Sequence, residues 1–106
     1  MLAPVRAAAV IALLSLSANA EEINVDQRGI RFDKTEITVK AGATVHYHNR
    51  DDVTHNLMVL GDDEDMRDEG LQKPGESVAP TFDKEGTFEV RCAIHPRMKM
   101  NVTVEK

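Results

Sequence analysis

Positive charge, cysteine and long apolar runs are all scarce in this chain of 106 residues, and each shortage closes off a class of protein. Thirteen Lys and Arg stand against 18 Asp and Glu. The basic excess that nucleic-acid binding draws on is missing, so a nucleic acid is not an expected partner. A single cysteine, Cys92, excludes an intramolecular disulfide. The one apolar run, residues 7–16, is shorter than the roughly 20 residues a bilayer-spanning helix needs. No window keeps a helical period, and no repeat or low-complexity tract interrupts the chain.

That apolar run follows a lone charge at Arg6 and leads into Ala18-Asn19-Ala20. A basic start, an apolar stretch and a small-residue exit are the layout of a secretory signal peptide. Residues 1–20 are therefore expected to be removed after Ala20, leaving a soluble domain, residues 21–106, in the periplasm. All 18 acids and 12 of the 13 basic residues fall in that domain, a formal balance of −6. An unpaired thiol in an oxidising compartment is buried and inert, reactive, or a ligand. The neighbours of Cys92 decide between these.

Short alternating segments bounded by turn residues fill the domain. Strands are expected at 23–26, 29–32, 54–60, 77–82, 87–92 and 99–104. Ile37 and Val39, then Val45 and Tyr47, flank Lys40-Ala41-Gly42 and read as a hairpin. Pro74-Gly75 and Glu85-Gly86 bound the later strands. Seven to eight strands at this spacing predict an all-β fold, an antiparallel Greek-key β-sandwich. Residues two apart share a strand face, so His55 lines up with Leu57 and Val59, and Cys92 with Val90 and Phe88. Both candidates end inward-facing rows. Met100 falls in phase with Val102 and Val104, a core row. A domain this small has a modest core, which a bound metal would reinforce.

Cys92-Ala93-Ile94-His95-Pro96-Arg97-Met98 puts a thiolate, an imidazole and a thioether on one short loop after a strand, with His55 far upstream. Two histidines and a cysteine make a trigonal set, and a weak axial methionine completes the blue-copper donor pattern. Thiolate and thioether favour Cu(I), whereas imidazole serves both oxidation states. Zinc also takes Cys and His, but its structural sites rarely include methionine. A catalytic thiolate–imidazole pair would lack Gly-rich or oxyanion-binding company and leave Met98 without a role.

These residues carry a family resemblance. The chain resembles the cupredoxins, and among them it is most similar to the amicyanin and plastocyanin-like members. The similarity includes Glu36-Ile37-Thr38-Val39-Lys40-Ala41-Gly42-Ala43-Thr44-Val45, Asn49-Arg50 ahead of His55-Asn56, Gly86-Thr87-Phe88 leading to Cys92, and above all the short Cys-x-x-His-Pro-x-Met loop. It implies one type 1 copper ion held by His55, Cys92, His95 and Met98, with Asn56 hydrogen-bonding between the two ligand-bearing segments. Met100 satisfies the longer histidine-to-methionine spacing of other members; its phase with the core favours Met98. Arg97 stands where amicyanin-like loops commonly carry an apolar residue.

The resemblance implies a one-electron carrier, not an enzyme, acting as a monomer between redox proteins such as a cytochrome or a periplasmic dehydrogenase. The alternative is a copper protein for tolerance, storage or delivery, which the extra donors His46, His48, Met66 and Met100 keep open. His46 and His48 share the face opposite Val45 and Tyr47 and are a candidate second metal pair, though such histidines are usually just solvated. Asp62-Asp63-Glu64-Asp65-Met66-Arg67-Asp68-Glu69 holds six acids in eight positions. It misses the calcium-loop template and reads as a solvated loop or a docking flank.

Overall fold

The computed structural model describes residues 20–62 and 65–106. The expected leader, apart from Ala20, and Asp63 and Glu64 of the acidic segment lie outside the described residues. Nine strands are formed among those described: β1 (Glu22–Gln27), β2 (Glu36–Lys40), β3 (Ala43–Asn49), β4 (His55–Leu60), β5 (Met66–Gln72), β6 (Ser77–Val78), β7 (Thr81–Phe82), β8 (Gly86–Arg91) and β9 (Lys99–Glu105). No helix among the described residues is long and apolar enough to cross a membrane.

The strands make the expected all-β sandwich. One sheet runs β1-β3-β6, with β7 also on β3; the other runs β2-β9-β8-β4-β5. Both sheets are mixed, not wholly antiparallel, because β1 lies parallel to β3 and β2 parallel to β9. Strict alternation builds the interior. Met100, Val102 and Val104 of β9 are buried while their neighbours are exposed, and Val45 and Tyr47 of β3 face them from the other sheet's core side.

The expected hairpin at residues 37–47 is instead a crossover between sheets. The turn itself shows why: the Ala41 N–H donates to Glu105 O in one sheet at 2.7 Å, and the Gly42 N–H to Phe82 O in the other at 2.8 Å. Gly42 has φ +97°, open to glycine and costly for other residues. The strand expected at 29–32 is a tight turn. Gly29 and Ile30 have φ of +69° and +56°, the pair of left-handed residues that a two-residue type I′ connection requires, and Phe32 bridges back to Gln27. The strand expected at 77–82 is split around Pro80, which has no N–H for a ladder; its carbonyl still accepts from the Val45 N–H at 3.1 Å.

The second half of the acidic segment is not a loop. Met66–Gln72 forms the edge strand β5, paired with β4 across a bulge at Leu57 and Met58. Its Asp68 and Glu69 sit where unpaired edge groups would otherwise invite another chain.

Candidate metal centre

His55 opens β4 and is fully buried; Cys92 follows β8 and is 1% exposed. His95 is half-buried on the loop between β8 and β9. Each arrives by a different route. β4 and β8 pair antiparallel, Met58 against Arg91, which brings the start of one beside the end of the other. The loop then closes on itself, since the Met98 N–H donates to His95 O at 2.9 Å and the Cys92 N–H to Met98 O at 3.1 Å. Pro96 in the middle of the loop restricts it further.

Three donor atoms converge. His55 Nδ1 and His95 Nδ1 are 3.1 Å apart, and Cys92 Sγ lies 3.8 Å from the first and 3.6 Å from the second. A triangle with these sides has a circumscribed radius of about 2.0 Å, the length of a metal–imidazole bond. Two borderline nitrogens and one soft sulfur therefore surround a point close to bonding distance, a donor set that suits copper. The rings stand nearly perpendicular, at 77° with centroids 4.9 Å apart. They are the three residues that the described part of the chain brings together as a candidate metal set.

The tautomer of His55 follows from its other nitrogen. His55 Nε2 lies 2.7 Å from Asp51 Oδ2, so Nε2–H donates to the carboxylate and the Nδ1 lone pair faces the triangle. Asp51 is itself held by the Gly29 and Ile30 N–H groups, at 2.6 and 3.0 Å to its two oxygens. Burial pushes the Asp51 carboxyl up, but hydrogen bonds from His55, Ile30 and Gly29, and the charge of His55, outweigh it and hold the group below its ordinary value. Sequence reasoning missed Asp51. Its spacing of four from His55 is the only local signal, because the turn that supplies its N–H partners reads as a strand in the sequence.

Asn56 touches both ligand-bearing segments. Its backbone N–H points at Cys92 Sγ at 3.4 Å, its Oδ1 accepts from the Ala93 N–H at 3.0 Å, and its Nδ2 donates to Asp68 Oδ1 at 3.2 Å. Asn49 works one layer out, donating to Val53 O and Gln72 O and accepting from the Asp51 N–H. The two methionines differ sharply. Met98 is fully buried at the closure of the loop. The Met100 sulfur accepts from the Tyr47 hydroxyl at 3.6 Å inside the sandwich, where burial pushes the Tyr47 phenol well above its ordinary value.

His46 and His48 are stacked, with centroids 6.3 Å apart and planes within 7°. Three of their four ring nitrogens are engaged: His46 Nε2 with Glu22 at 2.6 Å, His48 Nδ1 with Ser77 at 2.7 Å and His48 Nε2 with Asn24 at 2.9 Å. Both side chains are partly buried instead of freely solvated.

Comparison with known proteins agrees with this geometry. The profile of the family described as copper binding proteins, plastocyanin/azurin family, matches residues 19–105. Amicyanin of Paracoccus denitrificans is 33% identical over 87 residues, covering 78% of this chain and 65% of that protein. Plastocyanin of Scenedesmus fuscus is 31% identical over 97 residues, covering 79% of this chain and 96% of that one. Among solved structures, the Cu(I) form of an amicyanin variant superposes with a TM-score of 0.73 at 28% identity, over 84% of this chain and 88% of the other.

Proposed function

The chain belongs to the plastocyanin/azurin family of copper-binding proteins, and on that premise we propose that it is a periplasmic one-electron carrier, with His55, Cys92 and His95 as the trigonal ligands of one copper ion and Met98 as the weak axial one. The carrying observation is the triangle of His55 Nδ1, His95 Nδ1 and Cys92 Sγ. Copper held there supplies a Cu(II)/Cu(I) couple; the protein supplies the rest. Buried, hydrogen-bonded ligands cannot relax far toward the geometry that either oxidation state prefers alone, so little reorganisation accompanies electron gain or loss. Asp51 fixes the His55 ring, and Asn56 ties the Cys92 loop to β4. His95 is the one member of the trigonal set that reaches the surface, so its edge is where a redox partner approaches. The leader-like residues 1–20 support export to the periplasm.

The visible spectrum tests the site. The Cu(II) protein should be intensely blue from thiolate-to-copper charge transfer, and Cys92→Ser should be colourless; a colourless wild type with full copper loading overturns the assignment. Rapid electron self-exchange with slow copper loss to a chelator is expected of a carrier. Slow exchange with ready copper release would make it a storage or delivery protein.

A further inference from the structure

Beside the ligand loop the surface forms a groove of about 650 Å³, whose walls include Gly29, Ile30, Arg31 and Asp33 from one side and Arg97 and Lys99 from the other. Arg97 lies within the loop between His95 and Met98, and Lys99 begins β9 directly after it. All three cations are exposed. Three other arginines are neutralised in pairs, Arg50 with Asp26, Arg67 with Glu69 and Arg91 with Glu89, whereas exposed Arg28, next to the groove's Gly29, adds a further cation to this side. Among the described residues Arg31, Arg97 and Lys99 take part in no ion pair.

Asp33 does not neutralise them. Its Oδ2 faces Lys34 Nζ at 3.4 Å and its Oδ1 accepts from the Asp26 N–H at 3.0 Å. The groove therefore concentrates unpaired positive charge on a chain whose net charge is −5. Like charges gathered in a concavity focus a field outward, attracting charge of the opposite sign.

We propose that this groove seats an acidic surface segment of the redox partner, orienting that partner against the His95 edge. The inference rests on the electron-carrier reading and names the chemistry of its partner. A protein segment fits better than a free small anion. The groove is far larger than one phosphate, its cations sit on exposed flexible stems, and they come from two separate stretches of chain. Binding there engages Arg97, two residues beyond His95, so carboxylates filling the groove draw their protein toward the electron exit. Ile30, 42% exposed in the same groove, gives the contact an apolar element.

The test is a titration of the ¹⁵N-labelled, Cu(I)-loaded protein with a hexaglutamate peptide at low salt, followed by amide chemical shifts. Shifts should cluster at residues 29–33 and 97–99 and vanish at about 0.2 M salt, where the Debye length has fallen below 10 Å. The double variant Arg31→Gln/Lys99→Gln should bind about tenfold more weakly while its Cu(II) form keeps the wild-type spectrum. Inorganic phosphate, titrated in parallel, should give no saturable shift. Saturation by phosphate but not by peptide would make the groove a small-anion site and overturn the proposal. So would peptide shifts elsewhere, or unchanged affinity in the double variant. Binding is read without electron transfer, so a failure of the carrier reading shows in self-exchange and a failure of the docking reading shows here.

Discussion

Asp51 Oδ2 stands 2.7 Å from His55 Nε2, and that one contact joins a type I′-like turn to the metal centre, because the same carboxylate accepts from Gly29 and Ile30. An anionic partner raises the donor strength of an imidazole, and loss of such a partner typically costs about 10–100-fold in metal affinity. Asp51→Asn should therefore weaken Cu(II) binding by about that factor, affect Cu(I) less, and raise the reduction potential. Potentiometry and a Cu(II) competition titration check it. An unchanged potential would reduce Asp51 to a prop for the turn.

Acid should expose the same contact in the copper-free protein. The folded Asp51 carboxyl is held below its ordinary value, so the folded state binds fewer protons than the unfolded one. Its stabilising contribution is complete above the unfolded carboxylate pKa, about 4, and is lost as pH falls through the lower folded value. Denaturant midpoints between pH 6 and pH 2 should fall more steeply for wild type than for Asp51→Asn. Parallel curves would contradict this.

The two methionines should separate cleanly. Met98→Leu keeps the volume and removes the sulfur, so it should raise the potential and alter the visible spectrum. Met100→Leu should leave the spectrum alone but strand the buried Tyr47 hydroxyl, costing about 1–3 kcal/mol. Adding Tyr47→Phe should recover much of that loss. If Met100→Leu shifted the spectrum and Met98→Leu did not, the longer ligand loop would be the correct one.

Behind His55, Gln27 and Gln72 form a buried amide pair that ties β1 to β5. Gln27 Nε2 donates to Gln72 Oε1 at 2.6 Å, while Gln27 Oε1 and Gln72 Nε2 have no partner among the described residues. A single Gln→Leu leaves the other amide stranded and should cost about 1–3 kcal/mol, whereas Gln27→Leu/Gln72→Leu together should be close to neutral. Additive losses in a double-mutant cycle would show that the pair contributes nothing beyond its separate parts.

Much of this molecule was legible from residues alone, where local periodicity or loop chemistry carried the information. The inward row of β9, the placing of Cys92 and His95 on one short loop and the phase that sets Met100 in the core all follow from spacing. The parallel pairings of β1 with β3 and β2 with β9 did not, because alternation fixes which face is buried but not which strand lies alongside. β5 was hidden because an edge strand has no need of a fully apolar face, and its charges resemble those of a loop. The turn at Gly29 and Ile30 was hidden for a different reason. A β-branched residue at positive φ is unfavourable in isolation, and the contact that holds it, from the Ile30 N–H to the Asp51 carboxylate, comes from a remote part of the chain.

β9 is the last of the described strands in sequence order yet lies inside its sheet, between β2 and β8. A chain delivered from its amino end cannot finish that sheet until Lys99–Glu105 has emerged to pair with Glu36–Lys40. Assembly dominated by such distant pairings takes on the order of milliseconds to seconds. During that interval Cys92 is an open thiol in whatever redox environment receives the chain; once β9 docks, it is 1% exposed. The order of the strands thus sets a brief period of vulnerability to oxidation, and prompt capture of copper would end it by committing the sulfur to a bond.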